Sequence, residues 1–203
     1  MPVNRRLIVL ATPLALAGCG GILAKQPYVA RTDWPLAPPP PEADSAAAPS
    51  RGVVLVRGIA AGPALGDRGL ITLEPDGSIH RGYYNRWAVP PAQAVTASLI
   101  AWLQASGGFA AVVGEGSALS PGLIVEGTLD TLLADPGRHV ARAALTLVVA
   151  KPVGIGERPV AQRLLKAAAP LAGPTAPELV AAQRAALAGV LRQAVSVILS
   201  SKT

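Results

Sequence analysis

The sequence predicts an α+β fold, an antiparallel-rich sheet with two helices packed on it, and three features carry that prediction. Apolar residues alternate through Leu123–Leu133 and again through Ala141–Val149, the period of a strand with one face buried. Pro75-Asp76-Gly77 separates two short apolar runs as a turn would. Thr175 and Glu178 have the spacing of a capping box, and a single apolar stripe at helical period follows them.

Taken in order, the folded domain is expected over residues 53–203. Val53-Val54-Leu55-Val56 is apolar on both faces and reads as a central strand. Leu70-Ile71-Thr72-Leu73 and Ser78-Ile79-His80 flank the turn as the arms of a hairpin, with proline presetting one turn residue and glycine supplying the positive φ. Pro90-Pro91 opens a helix over Ala92–Ser106, where Val95, Leu99, Trp102 and Leu103 recur at helical spacing and Gly107-Gly108 ends it. Phe109–Val113 is a short buried strand.

In the next strand Leu123, Val125, Leu129 and Leu133 are expected on one face, with Glu126, Thr128 and Asp130 on the other. Asp135-Pro136-Gly137 turns the chain into a strand over His139–Val149, and Lys151–Glu157 is a Pro/Gly loop. Val160–Ala168 fits strand or helix by pattern, and meander topology favours strand. The final helix carries Leu179, Ala182, Ala186, Leu187, Val190, Leu191, Ala194 and Ile198 along one stripe.

Upstream of this domain stands an export signal. Arg5 and Arg6 precede an apolar run from Leu7 to Leu16, too short for a bilayer span of about 20 residues but suited to a secretory h-region. Leu16-Ala17-Gly18-Cys19 follows, and it looks like a bacterial lipobox. That resemblance makes residues 1–18 a lipoprotein signal peptide. It makes Cys19 the lipidated first residue of the mature chain, bearing covalent diacylglycerol and an N-acyl chain such as palmitate. Residues 19–52 read as a tether, because Pro38–Pro41 and the small, polar run to Ser50 favour extended, poorly packed chain. Stretched, Gly20–Ser50 would reach about 100 Å. Tyr28 and Trp34 are read as incidental aromatics within it.

The composition narrows the function. Without residues 1–18, which hold two of the 18 basic residues, 185 residues remain with a net charge of about +4. The arginines are scattered and only seven residues are aromatic, which with the export signal argues against a nucleic-acid partner. Cys19 is the one cysteine, so no intramolecular disulfide forms. His80 and His139 lie on separate strands, and their meeting Asp76 or Asp135 in a metal site would be chance. Gly114-Glu115-Gly116-Ser117 misplaces the serine of a nucleophile elbow, and Gly154-Ile155-Gly156 runs into Arg158 and Pro159 instead of a dinucleotide-binding helix. Glu126 and Asp130 share a strand face and read as its solvated side. No catalytic, cofactor-binding or metal residue is assigned.

One further pattern spans Val53 to Val113: a Val/Leu strand, a loop with Asp67-Arg68, the hairpin, then Tyr84-Asn85-Arg86-Trp87-Ala88, two prolines and a helix ending in Ser106-Gly107-Gly108-Phe109. This resembles the ABC-type transport auxiliary lipoprotein family, which includes the paraquat-inducible protein C-like lipoproteins. The resemblance implies a non-enzymatic periplasmic lipoprotein in a system trafficking lipids between inner and outer membranes. Its implied partners are the membrane itself, a mammalian-cell-entry-domain protein, an ABC permease and further copies of the chain. Gly20, rather than an aspartate after the cysteine, favours the outer membrane over the inner. Arg86 and Trp87 are the candidate docking or structural motif: Trp87 as a core anchor with Arg86 an exposed or locally paired charge, or both as a partner surface. The competing classes are a structural lipoprotein of envelope assembly and a lipoprotein hydrolase.

Overall fold

The computed structural model describes residues 28–42 and 51–201; the signal segment 1–18 and Cys19 lie outside them. It is α+β, with eight strands in one sheet and two helices. The strands are β1 (Thr32–Trp34), β2 (Arg51–Ala61), β3 (Gly69–Leu73), β4 (Ile79–Trp87), β5 (Phe109–Gly114), β6 (Leu123–Asp135), β7 (Val140–Val153) and β8 (Gly156–Pro170). The helices are α1 (Pro91–Ala105) and α2 (Ala176–Ser200). The segment Val160–Ala168 is thus strand, inside β8.

Strand β6 is the centre of the sheet. One edge pairs antiparallel with β7 from Ile124 to Asp135, and β8 continues the meander antiparallel to β7. The other edge pairs parallel, first with β2 and then with β3 at Thr72–Ala134. β5 lies parallel to β2, while β4 and then β1 extend the sheet beyond β3. The parallel partners of β2 give it neighbours on both edges, as its apolar sequence predicts.

The alternation in β6 holds only to Leu129. Leu129 opposes Leu145 and Thr131 opposes Ala144, so Asp130 is an extra residue, a β-bulge. The bulge reverses the parity of the strand. Leu132 and Ala134 turn inward, buried, while Leu133, expected inward, is only partly buried. In β7 no such slip precedes Val149, and Ala141, Ala143, Leu145, Leu147 and Val149 are all buried.

Local chemistry sets the element ends. Between β3 and β4, Gly77 takes φ +85° and its amide donates to Glu74 O, while the Ser78 amide donates to Asp76 Oδ1. At the start of α2 the Thr175 hydroxyl donates to Glu178 Oε2 at 2.6 Å and the Thr175 amide donates to the same oxygen at 3.0 Å, the reciprocal half of a capping box, and these two bonds hold Glu178 below its ordinary carboxyl value. The α2 stripe from Leu179 to Ile198 is buried against β6, β7 and β8, and α1 packs on β2 and β5. Gln183 sits fully buried within that stripe, donating to Ile71 O at 3.2 Å and so tying α2 to β3.

Leu187 has no exposure, so Leu187→Ala removes transfer free energy and leaves a cavity. Urea denaturation is expected to show a loss of about 3 kcal/mol. Arg192→Ala, on the exposed side of α2, is expected to stay within about 0.5 kcal/mol of the parent.

Candidate functional site

Arg86 and Trp87 end β4, and the structure uses them to gather two distant segments. The Trp87 side chain is 1% exposed and its amide donates to Arg68 O at 2.6 Å. Arg68 returns a bond from Nη1 to Ala88 O at 2.8 Å. The Asp67-Arg68 loop and the Arg86-Trp87-Ala88 step are therefore one clip, which joins two pieces of the pattern that runs from Val53 to Val113. Arg86 Nε donates to Asp33 Oδ1 at 2.6 Å, with Nη2 3.5 Å from Oδ2. The guanidinium of Arg86 holds the Asp33 carboxyl below its ordinary 3.8.

Asp33 belongs to β1, and here the structure departs from the expected tether. Thr32–Trp34 pairs parallel with Asn85–Trp87, and the compact unit that holds the sheet begins at Arg31, not Val53. Trp34, read as incidental, packs against the core and donates from Nε1 to Asn85 Oδ1 at 3.2 Å. The Ala88 amide donates to Trp34 O at 2.8 Å. Leu36 is 2% exposed. Prolines do not prevent this docking, because a proline keeps its carbonyl acceptor although it lacks an amide donor. Trp102 Nε1 donates to Pro38 O at 3.0 Å, and Arg184 Nε donates to Pro35 O at 2.7 Å. The strap from Thr32 to Pro40 thus crosses both helices, and the groove between it and α1, about 440 Å³, is lined largely by prolines and alanines.

The other candidate side chains are dispersed or committed. Glu126 accepts from Arg57 Nη1 at 3.2 Å, and Arg57 also pairs with Glu157 near the β7–β8 turn. Asp130 accepts from Thr146 Oγ1 at 2.7 Å. Asp135 is buried, accepting from the Arg138 amide and from Arg142 Nη2 at 2.8 Å. His139 follows it with φ 53° in the turn leading to β7, whereas His80 is exposed on β4. Among the described residues no three His, Cys, Asp or Glu side chains group as metal ligands. No helix among them is long and apolar enough to cross a membrane.

A family model described as ABC-type transport auxiliary lipoprotein component matches residues 34–195, beginning within β1. The fold is similar to the crystal structure of a Xanthomonas campestris protein of the DUF330 family, with a TM-score of 0.68 at 20% identity over 84% of this chain and 96% of that one. An uncharacterized protein is similar at a TM-score of 0.64 and 15% identity, covering 83% of this chain and 99% of that chain. A hypothetical protein from Chlamydia trachomatis reaches 0.50 at 12% identity, covering 75% and 98%. At these identities the likeness is one of fold. No curated protein matches the chain in sequence.

The strap gives a direct test. Because its folded-state value is depressed, ionised Asp33 stabilises β1 docking above pH 3.8, and that contribution is lost as pH falls through the lower folded value. Asp33→Asn is expected to accelerate tryptic cleavage after Arg31 severalfold at neutral pH and to speed hydrogen exchange at the Ala88 amide. As pH falls through that lower value the exchange rates of parent and variant should converge.

Proposed function

Because the chain belongs to the ABC-type transport auxiliary lipoprotein component family, we propose that it is the lipid-anchored accessory of an ABC-type system trafficking lipids between inner and outer membranes. Cys19 carries the acyl chains, the folded unit works in the periplasm, and a mammalian-cell-entry-domain protein and an ABC permease are its partners. Gly20 after the acylated cysteine points to the outer membrane. The observation that carries the reading is the family match over residues 34–195, joined to a lipobox upstream of it.

A docking role suits the architecture better than carriage of lipid inside the domain. Leu123, Leu129, Leu145, Leu187 and Leu191 fill the space between sheet and helices, each at 0% exposure. The groove beside the strap is a surface feature of proline and alanine, and its 440 Å³ is within the range of a small-ligand pocket. The reading is non-enzymatic.

Docking of β1 also shortens the leash. From Gly20 to Ala30 are 11 residues, which limits Cys19 to within about 40 Å of Arg31, less than half the reach of a tether running to Ser50. An accessory held this close would work against the surface of its own membrane.

Mass spectrometry of the membrane-extracted protein is expected to find the acyl mass on an N-terminal Cys19. Affinity purification after crosslinking should recover a mammalian-cell-entry-domain protein and its permease, and Cys19→Ser should release the protein from the membrane fraction. Recovery of envelope-assembly factors alone would contradict the transport reading, and an unacylated Cys19 would contradict the anchor.

A further inference from the structure

Strand β4 carries a feature that neither the strap nor the core requires. Across the β3–β4 pair, Gly69 opposes Arg86 and Ile71 opposes Arg81, so two steps on β3 face five on β4. The surplus residues form a wide bulge at Gly82–Asn85. Gly82 is essential to it: a Cβ there would stand 2.6 Å from Asn85 O. The bulge throws Tyr83 and Tyr84 outward, at 63% and 45% exposure, and opens a pocket of about 210 Å³.

Arginines dominate this pocket. Arg31, Arg81 and Arg86 line it, with Tyr83 and Asp67. Arg31 lies 4.1 Å from the centre of the Tyr83 ring and donates to its hydroxyl, so its guanidinium is held at the rim. Arg86 is paired with Asp33. Arg81 has no carboxylate within 4.0 Å among the described residues. Asp67 is turned to its own loop, accepting from the Arg68 amide. Among the described residues, the three lining arginines and the adjoining Arg68 stand against Asp33 and Asp67, a local charge of about +2.

We propose that this pocket takes the phosphate of a phospholipid headgroup in the membrane beside the protein. The planar guanidinium fork of Arg81 matches two phosphate oxygens, and a second donor waits at the rim on Arg31. The occupant is a lipid surface rather than a soluble anion because of what surrounds the pocket. Tyr83, Tyr84 and Ile79 are exposed around it, and tyrosine beside arginine is the side-chain pairing that settles at a headgroup layer. The described strap begins at this same place, since Arg31 immediately precedes β1. The identification of the occupant rests on the anchor at Cys19: a leash of about 40 Å that enters the fold at Arg31 brings this face to the bilayer.

The test uses the full chain carrying Cys19→Ser, so that no acyl chain contributes to binding. Flotation is compared with vesicles of phosphatidylcholine alone and of phosphatidylcholine with phosphatidylglycerol. Binding to the mixed vesicles is expected, and Arg31→Ser with Arg81→Ser should weaken it at least tenfold. Lys151→Ser with Arg158→Ser removes the same charge where β7 meets β8, beyond the opposite end of β6, and should retain most of it. Both pairs involve side chains outside the core, and unchanged thermal unfolding verifies that each variant folds. Equal loss in the two pairs, no binding by the parent, or displacement of the vesicles by millimolar inorganic phosphate at constant ionic strength would overturn the proposal. Acylation of Cys19 is read independently by mass, so failure here leaves the anchor standing, and an unacylated Cys19 leaves the pocket's affinity to be judged by these vesicles alone.

Discussion

β6 is paired on both edges, with β7 from Ile124 to Asp135 on one and with β2 over Leu123–Leu129 and β3 at Ala134 on the other, and the rest of the molecule is arranged by that constraint. Its β7 edge starts an antiparallel meander, while its other edge is shared between β2 and β3 in parallel. A strand so placed lies inside the sheet rather than at its edge and must bury apolar residues on the helix side. The Asp130 bulge lets it do both, by re-aiming its far half so that Leu132 and Ala134 reach the core. Beyond β3, the sheet continues into β4 and β1, where the clip of Arg68, Arg86, Trp87 and Asp33 closes it.

Much of this was legible because it rests on periodicity and turn chemistry. The stripe of α2, the face of β7 and the turn at Pro75-Asp76-Gly77 obey patterns a few residues long, and they stand where those patterns place them. The bulges were not legible. A single extra residue such as Asp130 leaves no mark in composition, and only the partner strand reveals that Leu133 has changed faces. The same limit hid the pocket, since Arg81 and Arg86 are five apart and meet only because Gly82–Asn85 leave the β3–β4 ladder.

The strap was obscured for a different reason. A strand of three residues has no measurable period, and Pro38–Pro41 signals chain that cannot join a ladder as donor. Its contacts run through the opposite valence: Pro35 and Pro38 offer carbonyl oxygens to Arg184 and Trp102, donors more than 60 residues away. The one hint is Trp34, a large amphipathic side chain at the head of a proline-rich run. Arg86-Trp87 was singled out by pattern, and the geometry gives each residue a concrete place, Trp87 inside the core and Arg86 against Asp33. For function, docking of the strap matters more than the number of residues it adds. It moves the start of the folded unit to Arg31 and gives that unit a defined face where the chain from Cys19 arrives.

The most direct test of this account is the height and orientation of the folded unit above a bilayer holding the acylated protein. Spin labels at His80→Cys, exposed on β4 beside the pocket, and at Ile155→Cys, read by their distance to lipid phosphates, mark the two ends of the sheet. The account places the residue 80 label near the headgroup layer and the residue 155 label well away from it, with the strap within about 40 Å of the surface. A residue 155 label nearer the lipid, or both labels far beyond that reach, would contradict it.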